Sequence, residues 1–317
     1  LNETGTFNIS LCFKLQSSST CSPPTVSDLQ RFQAMCSASK TQSYVVFSAA
    51  LVLGLPGSIL ALILLGRMPT KPSTLYLRLL AVSDFVALVS LSVTYYEITG
   101  YHHVTNLDNL LKWFSRIFQS FSHWLLVLMC VERFVAVRYP LHKARLYTIR
   151  ITYVTCFAVF LVSSIHFLLF PMTFVIKSLA NGNYFFYVTL MYFSIYIFLP
   201  MILIVLFTNL TALEIRRSRR RRQSLVMTVS NSLAFKMEAE ITRIMFLAVL
   251  SFVLFLLPKL LLYIFYIVDL YLLHIEKCPE YMAAFTVSYN TFTSLSYLNH
   301  AVNFYIYMLG APGYRRQ

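Results

Sequence analysis

The stretch Leu107–Val137 reads LDNLLKWFSRIFQSFSHWLLVLMCVERFVAV. It is long and apolar enough to cross a bilayer as one helix, for which about 20 mostly apolar residues suffice. It closes on the charged triplet Glu132-Arg133-Phe134. Six further runs of the same kind flank it: Tyr44–Gly66, Thr74–Glu97, Ile149–Phe170, Phe185–Leu213, Glu238–Val268 and Tyr281–Leu309. The third, fifth and sixth runs exceed the membrane thickness and are expected to tilt or project beyond it. The expected fold is an all-α membrane protein, a bundle of seven transmembrane helices over 44–309. A tail over 1–43 precedes it, and 310–317 begins a cytoplasmic amphipathic segment.

Composition agrees. Of 317 residues, 58% are hydrophobic, 16% aromatic and only 12% charged, too few charges to cover a soluble surface of this size. The net charge of +14 would suggest nucleic acid for a soluble protein. Here the basic residues lie in short segments between apolar runs, so they read as topology signals, with no nucleic-acid partner. Arg67 and Lys71, then Arg138, Lys143, Arg145 and Arg150, then Arg216, Arg217 and Arg219 to Arg222, occupy the first, third and fifth connections. The positive-inside rule makes those connections cytoplasmic and the N-terminus extracellular. The sequons at Asn2 and Asn8 fall in the outer tail, as glycosylation requires. Leu1 is not Met and no signal-type apolar core precedes Tyr44, so the chain reads as trimmed at both ends.

Cysteines sort by this topology. Cys12, Cys21, Cys36 and Cys278 lie outside, where disulfides form, and allow three pairings. Cys12–Cys21 with Cys36–Cys278 is the favoured set. Cys130 and Cys156 fall within helices.

Polar groups within spans are costly and need a reason. Glu132 and Arg133 are either a charged helix end that snorkels to headgroups, or half of a switch in which Arg133 pairs with Glu238 at the start of the sixth run. Asp84, mid-way along the second run, calls for a proton, a cation or hydrogen-bond partners. Asn299 and Asn303, one helical turn apart on the seventh run, can face it; simple gluing of the bundle is the alternative. Pro200 and Pro258 each remove a helical hydrogen bond.

Taken in order, these motifs resemble the rhodopsin-like (class A) G-protein-coupled receptors across all seven spans. Glu132-Arg133-Phe134 stands where that family has Asp/Glu-Arg-Tyr. Leu80 to Asp84 resembles its Leu-Ala-x-x-Asp, Phe252 with Pro258 its sixth-helix motif, and Asn303 to Tyr307 its Asn-Pro-x-x-Tyr. The form Asn-Phe-x-x-Tyr is similar to invertebrate neuropeptide receptors of the FMRFamide-receptor-like group. The resemblance implies an activation switch at Glu132, Arg133, Phe134, Glu238, Asn303 and Tyr307, and a sodium pocket at Asp84, Ser122, Asn299 and Asn303. His300 stands where a small polar residue is usual, and is either an ion partner for Asp84 or a hydrogen-bonded core histidine. The chain departs from the pattern elsewhere. Leu256 replaces the sixth-helix Trp, Gly57-Ser58 replaces Gly-Asn, and Asp108 stands where a disulfide cysteine is usual.

Ser115 stands where amine receptors have Asp, which argues against an amine ligand. Arg116, Gln119 and Lys259 lie in the outer half of the bundle. The two cations either hold an acidic part of the ligand or pair with Glu97 or another internal group. A long outer tail braced by cysteines suits a peptide, with Tyr263 among the contacting aromatics; a small anionic or lipid ligand is the runner-up. The expected partners are an extracellular ligand, a heterotrimeric G protein and the plasma-membrane bilayer. The expected activity is signalling and not catalysis, with no cofactor besides a sodium ion. A transporter would show paired repeats with broken helices, and none is visible.

Overall fold

A computed structural model describes residues 25–99, 106–176, 193–224, 233–269 and 279–310. Within them, side chains at 29, 93–99, 106–113, 141, 144, 166–176, 219–224, 233–238, 279–280, 282 and 309 lie outside the description. The described residues form seven long helices and one short one. They are α1 (Val26–Gly66), α2 (Pro72–Thr99), α3 (Asn106–Arg138), the short α4 (Pro140–Leu146), α5 (Ile149–Ile176), α6 (Leu199–Ser224), α7 (Leu233–Val268) and α8 (Pro279–Gly310). A π-helical turn, Ser194–Phe198, leads into α6.

Membrane character is written in how residues distribute across the bundle. Val52, Leu53, Ile59, Leu60 and Ile63 of α1, Val154, Phe157 and Val162 of α5, and Leu250, Leu254 and Leu261 of α7 are exposed. Such apolar area facing water would drive association; facing lipid it costs nothing. The interior holds the reverse population: Asp84, Glu132, Arg133, Lys259, Asn299, His300 and Asn303 are all buried. Five described helices, Val26–Gly66, Pro72–Ser92, Phe114–Arg138, Ser194–Ser218 and Ala239–Val268, are long and apolar enough to cross a membrane, and α5 adds the apolar run Ile149–Ile165. The last run differs from expectation. α8 has the length, 32 residues, but is not among those five. Its Ser, Thr, Asn and His side chains dilute its hydropathy because one face, with Ser294, Asn299, His300 and Asn303, turns into the bundle.

The first helix also begins earlier than the apolar run at Tyr44. Thr25 and Asp28 form a capping box: Thr25 Oγ1 accepts from the Asp28 N–H at 3.2 Å, and Asp28 Oδ2 accepts from the Thr25 N–H at 2.9 Å. That reciprocal pairing satisfies two orphan N–H groups and starts the helix outside any apolar segment. The resulting 41 residues span about 60 Å at 1.5 Å per residue, twice a hydrocarbon core. The projecting part is fastened to α8. Phe32 packs on Ala283, and Ser294 donates to Ser43 at 3.2 Å and Thr291 to Gln42 at 3.2 Å. Cys12, Cys21 and Cys278, hence both expected pairings, and the sequons Asn2 and Asn8 lie outside the described residues.

Helix α1 packs on α2 and α8, which closes the ring, while α3 runs through the middle against α2, α4, α5, α6 and α7. The far end of α1 is held by Arg78 of α2. Its Nε donates to the Leu65 carbonyl at 2.9 Å, and other guanidinium nitrogens reach the Met68 carbonyl and Thr70. The Leu65 carbonyl is one that the helix end leaves without an intrahelical donor, while Met68 and Thr70 lie just past that end.

Glycine sets the closest approach in the α1–α2–α8 seam. A Cβ on Gly54 would lie 2.6 Å from Leu88 Cδ1 and 2.9 and 3.0 Å from the Cβ and Cα of Ala301. The Leu88 methyl can rotate away, but the Ala301 backbone cannot. Gly54→Ala is therefore expected to lower stability by about 1–3 kcal/mol, the usual range for overpacking. Thermal unfolding of the purified protein in detergent checks this.

Candidate functional site

Three polar clusters occupy the interior, and they line up along α3. The first lies at the α4 end of α3. Glu132 is fully buried, and its Oε1 accepts from Ser73 of α2 at 2.8 Å, from Arg133 at 2.9 Å, and lies 3.7 Å from Lys143 Nζ of α4. Arg133, also buried, donates to Ser73 as well. Burial makes this an expensive ion pair that geometry must offset. The Ser73 hydroxyl, which donates to Glu132 and accepts from Arg133, supplies part of that compensation. Phe134 faces Phe207 of α6, ring centroids 5.8 Å apart. The expected pairing of Arg133 with Glu238 falls on a side chain outside the described residues. What is on view is Arg133 held inside its own triplet and by α2.

The second cluster centres on Asp84 of α2, whose side chain is buried. Its Oδ1 accepts from Ser122 of α3 at 2.9 Å and faces His300 Nδ1 of α8 at 2.7 Å; its Oδ2 accepts from Asn303 Nδ2 of α8. Asp84, Ser122, His300 and Asn303 are thus brought together as the sequence implies. Asn299 is buried on the same helix, but no hydrogen bond joins it to Asp84 among those described. Tyr307, one turn beyond Asn303, is fully buried.

The third cluster holds the residues expected to meet a ligand. Gln119 Nε2 donates to Ser115 Oγ at 2.9 Å, and Tyr196 donates its hydroxyl to Gln119 Oε1 at 2.5 Å. Lys259 of α7 is buried, and its Nζ sits 5.8 Å from the centre of the Tyr196 ring. A ring face attracts an ammonium, though less than a carboxylate would. Arg116 is exposed. Tyr263 is half-buried and packs on Phe193 at 4.9 Å and Tyr289 at 6.2 Å. Glu97 belongs to α2, but its side chain is outside the description.

Sequence reasoning missed the residue joining the second and third clusters. His123 of α3 is buried. Its Nδ1 lies 3.0 Å from the Tyr196 carbonyl; that oxygen only accepts, so Nδ1 carries the hydrogen. Pro200, four residues after Tyr196, has no N–H to give that carbonyl in an α-helix, and the intervening turn is π-helical. The proline therefore frees an acceptor that the histidine uses. The His123 ring stacks on His300 at 6.0 Å and 12°, and meets Phe252 of α7 edge-on at 5.0 Å. A continuous path results: Lys259, Tyr196, His123, His300, Asp84. The available signal was the pairing of a buried-span His with an early Pro in the fifth run. Neither residue indicates a partner by itself.

The Glu132 cluster carries a stability test. Glu132→Ala strands Arg133 in the interior and is expected to cost about 3–5 kcal/mol. Ser73→Ala removes one neutral group from the same cluster and is expected to cost about 1–3 kcal/mol. Thermal melts of the two variants should rank in that order, and equal melting points would remove the ion pair from the account.

Comparison with known proteins follows the geometry. No curated protein matches this chain. The family model described as 7 transmembrane receptor (rhodopsin family) matches residues 57–307, a segment that contains Asp84, Glu132, Arg133, Lys259, His300, Asn303 and Tyr307. Its members are multi-pass membrane receptors, not enzymes, that signal through G proteins. With the match running from α1 to the last turns of α8, the chain belongs to the rhodopsin family of seven-transmembrane receptors.

Proposed function

We propose that this receptor sits in the plasma membrane with its N-terminus outside, binds an extracellular peptide through an acidic group of that peptide, and activates a heterotrimeric G protein. The observation that carries the ligand chemistry is Lys259. Its ammonium is buried, has a tyrosine ring at 5.8 Å and shares its surroundings with a second cation, Arg116. No carboxylate within salt-bridge distance of it is found among the described residues. A buried cation in that setting is completed by an anion that arrives with the ligand.

Support for a peptide comes from the Lys259 end of the bundle. The projecting part of α1 and the facing part of α8 are zipped by Ser43, Gln42, Thr291 and Ser294. They make a firm rim above the bundle, against which an extended ligand can lie. A Cys36–Cys278 bridge and a Cys12–Cys21 bridge would brace that rim further, with Asn2 and Asn8 glycosylated. A neuropeptide is the reading that agrees with the Asn-Phe-x-x-Tyr form of Asn303 to Tyr307. A small anionic or lipid ligand is the second reading, and Lys259 favours it equally, since an acid of any size would satisfy the ammonium.

The agonist must bind the active bundle more tightly than the inactive one. At the other end, activation would free Arg133 and swing α7 outward. A helix of the G protein would then enter the cavity so opened.

Cells expressing the full-length receptor, screened with amidated and free-acid neuropeptides and with small carboxylic acids, test the proposal by G-protein activation. A saturable response to a peptide bearing an acidic group is expected. In Lys259→Met, potency should fall roughly 30-fold or more, the scale for truncating one side of a buried charge pair. Unchanged potency at normal surface expression would refute the acid contact; a response only to small acids would refute the peptide. In the same cells Glu238→Ala is expected to raise ligand-independent signalling. Basal activity equal to that of the unaltered receptor would remove Glu238 from the switch.

A further inference from the structure

The resemblance to class A receptors implies a sodium ion beside Asp84, and the donors around that carboxylate decide whether one fits. Sodium needs a shell of oxygen lone pairs pointing inward from Asp84, a hydroxyl and amide oxygens. Here the inward-pointing atoms are hydrogens. Ser122 Oγ donates to Asp84 Oδ1 at 2.9 Å, and Asn303 presents its Nδ2 to Oδ2. His300 Nδ1 faces Oδ1 at 2.7 Å, and because a carboxylate there accepts, the imidazole presents its N–H. The space is also filled. Asp84 and Ser122 are 1% and 2% exposed, and His300 and Asn303 are 3% and 6% exposed. The His300 ring is backed by the His123 ring at 6.0 Å, which Phe252 closes at 5.0 Å. The residues present do not fit the metal.

We infer that this receptor has no sodium site: the His300 imidazole occupies the cation position beside Asp84 and fastens α2 to α8 in the metal's place. The consequence is functional. An exchangeable ion makes the link between α2 and α8 depend on the salt outside the cell, whereas a side chain carried by α8 makes it permanent. Stability and basal signalling of this receptor are then insensitive to sodium as such. The inference stands apart from the ligand proposal, since it concerns the receptor without ligand.

The experiment uses the purified full-length receptor with no ligand added. Melting is compared in sodium chloride and potassium chloride, each at about 0.15 M so that screening is equal. The unaltered receptor is expected to melt within about 1 °C in the two salts. His300→Ser, which restores a small hydroxyl and opens the space, is expected to melt about 3 °C or more higher in sodium than in potassium, as binding to the folded state alone requires. Basal nucleotide exchange on a reconstituted G protein should follow the same pattern, unchanged by sodium in the unaltered receptor and suppressed by it in His300→Ser. A sodium-specific rise in the unaltered receptor overturns the inference outright, and needs no variant to fold. Insensitivity of both forms overturns the role given to His300, because something other than the imidazole then excludes the ion.

Discussion

A carboxylate in the middle of a membrane bundle is the constraint to which the rest of the interior answers. Asp84 can exist there only with its oxygens occupied, because water is not available to solvate them. Three side chains from two other helices do so: Ser122 of α3, and His300 and Asn303 of α8. The requirement fixes more than local geometry. For Ser122 to reach Asp84, α3 must present that face to α2. For His300 and Asn303 to reach it, α8 must turn its polar stripe inward, and α8 is accordingly not among the five described helices apolar enough to cross a membrane by composition. Asn299 is buried one turn before Asn303, but Ser122 and His300 meet Asp84 Oδ1 and Asn303 meets Oδ2, and no described hydrogen bond joins Asn299 to that carboxylate.

A polar path joins Lys259 near one end of the bundle to Asp84 at its centre. The family usually has a Trp two residues before the sixth-helix proline; here Leu256 is buried in that place and carries no polar group. One ring that meets α7 from α3 is His123, which touches Phe252. His123 is tied to Tyr196 by a hydrogen bond and to His300 by stacking. Tyr196 in turn carries Lys259 over its face and Gln119 on its hydroxyl. Any change in how Lys259 is neutralised alters the field on Tyr196, and Tyr196 lies in the π-helical turn that Pro200 follows. A turn with irregular hydrogen bonding is where a helix gives most readily.

Sequence told the helices apart because apolar runs of membrane length are rarely anything else, and it paired Asp84 with α8 because buried carboxylates have few options. It marked the apolar run Tyr44–Gly66 within α1 and not the start of the helix at Val26, since hydropathy marks where a helix is in lipid and not where it begins. The start was legible in Thr25-x-x-Asp28, a capping signature. Other contacts were not legible in principle. That Glu132 and Arg133 meet through Ser73, or that His123 stacks on His300, depends on how α2, α3 and α8 are rotated about their axes. One sequence specifies that rotation only through the whole packing. Arg78 is a similar case: its use as a clasp on the last turn of α1 needs both helices in view.

The kinds of contact also rank the helices by how easily they move. α2 is joined to α3 at both levels, through Ser73 with Glu132 and through Asp84 with Ser122, and to α8 through His300 and Asn303. Each of these is a directional bond in a dry interior, and sliding any of those helices exposes an unsatisfied polar group worth about 1–3 kcal/mol. The contacts of α7 with α3 that are described are of another sort. Phe252 and Leu256 lie in the apolar core, and Phe252 meets His123 edge-on. Apolar contact is non-directional and is largely recovered after a small rotation. Lys259 lies above this sliding contact, on the same helix and one residue past Pro258. A force applied to α7 at Lys259 therefore meets its least resistance in moving α7 itself, with the proline as the point of flexure and α2, α3 and α8 as the fixed frame.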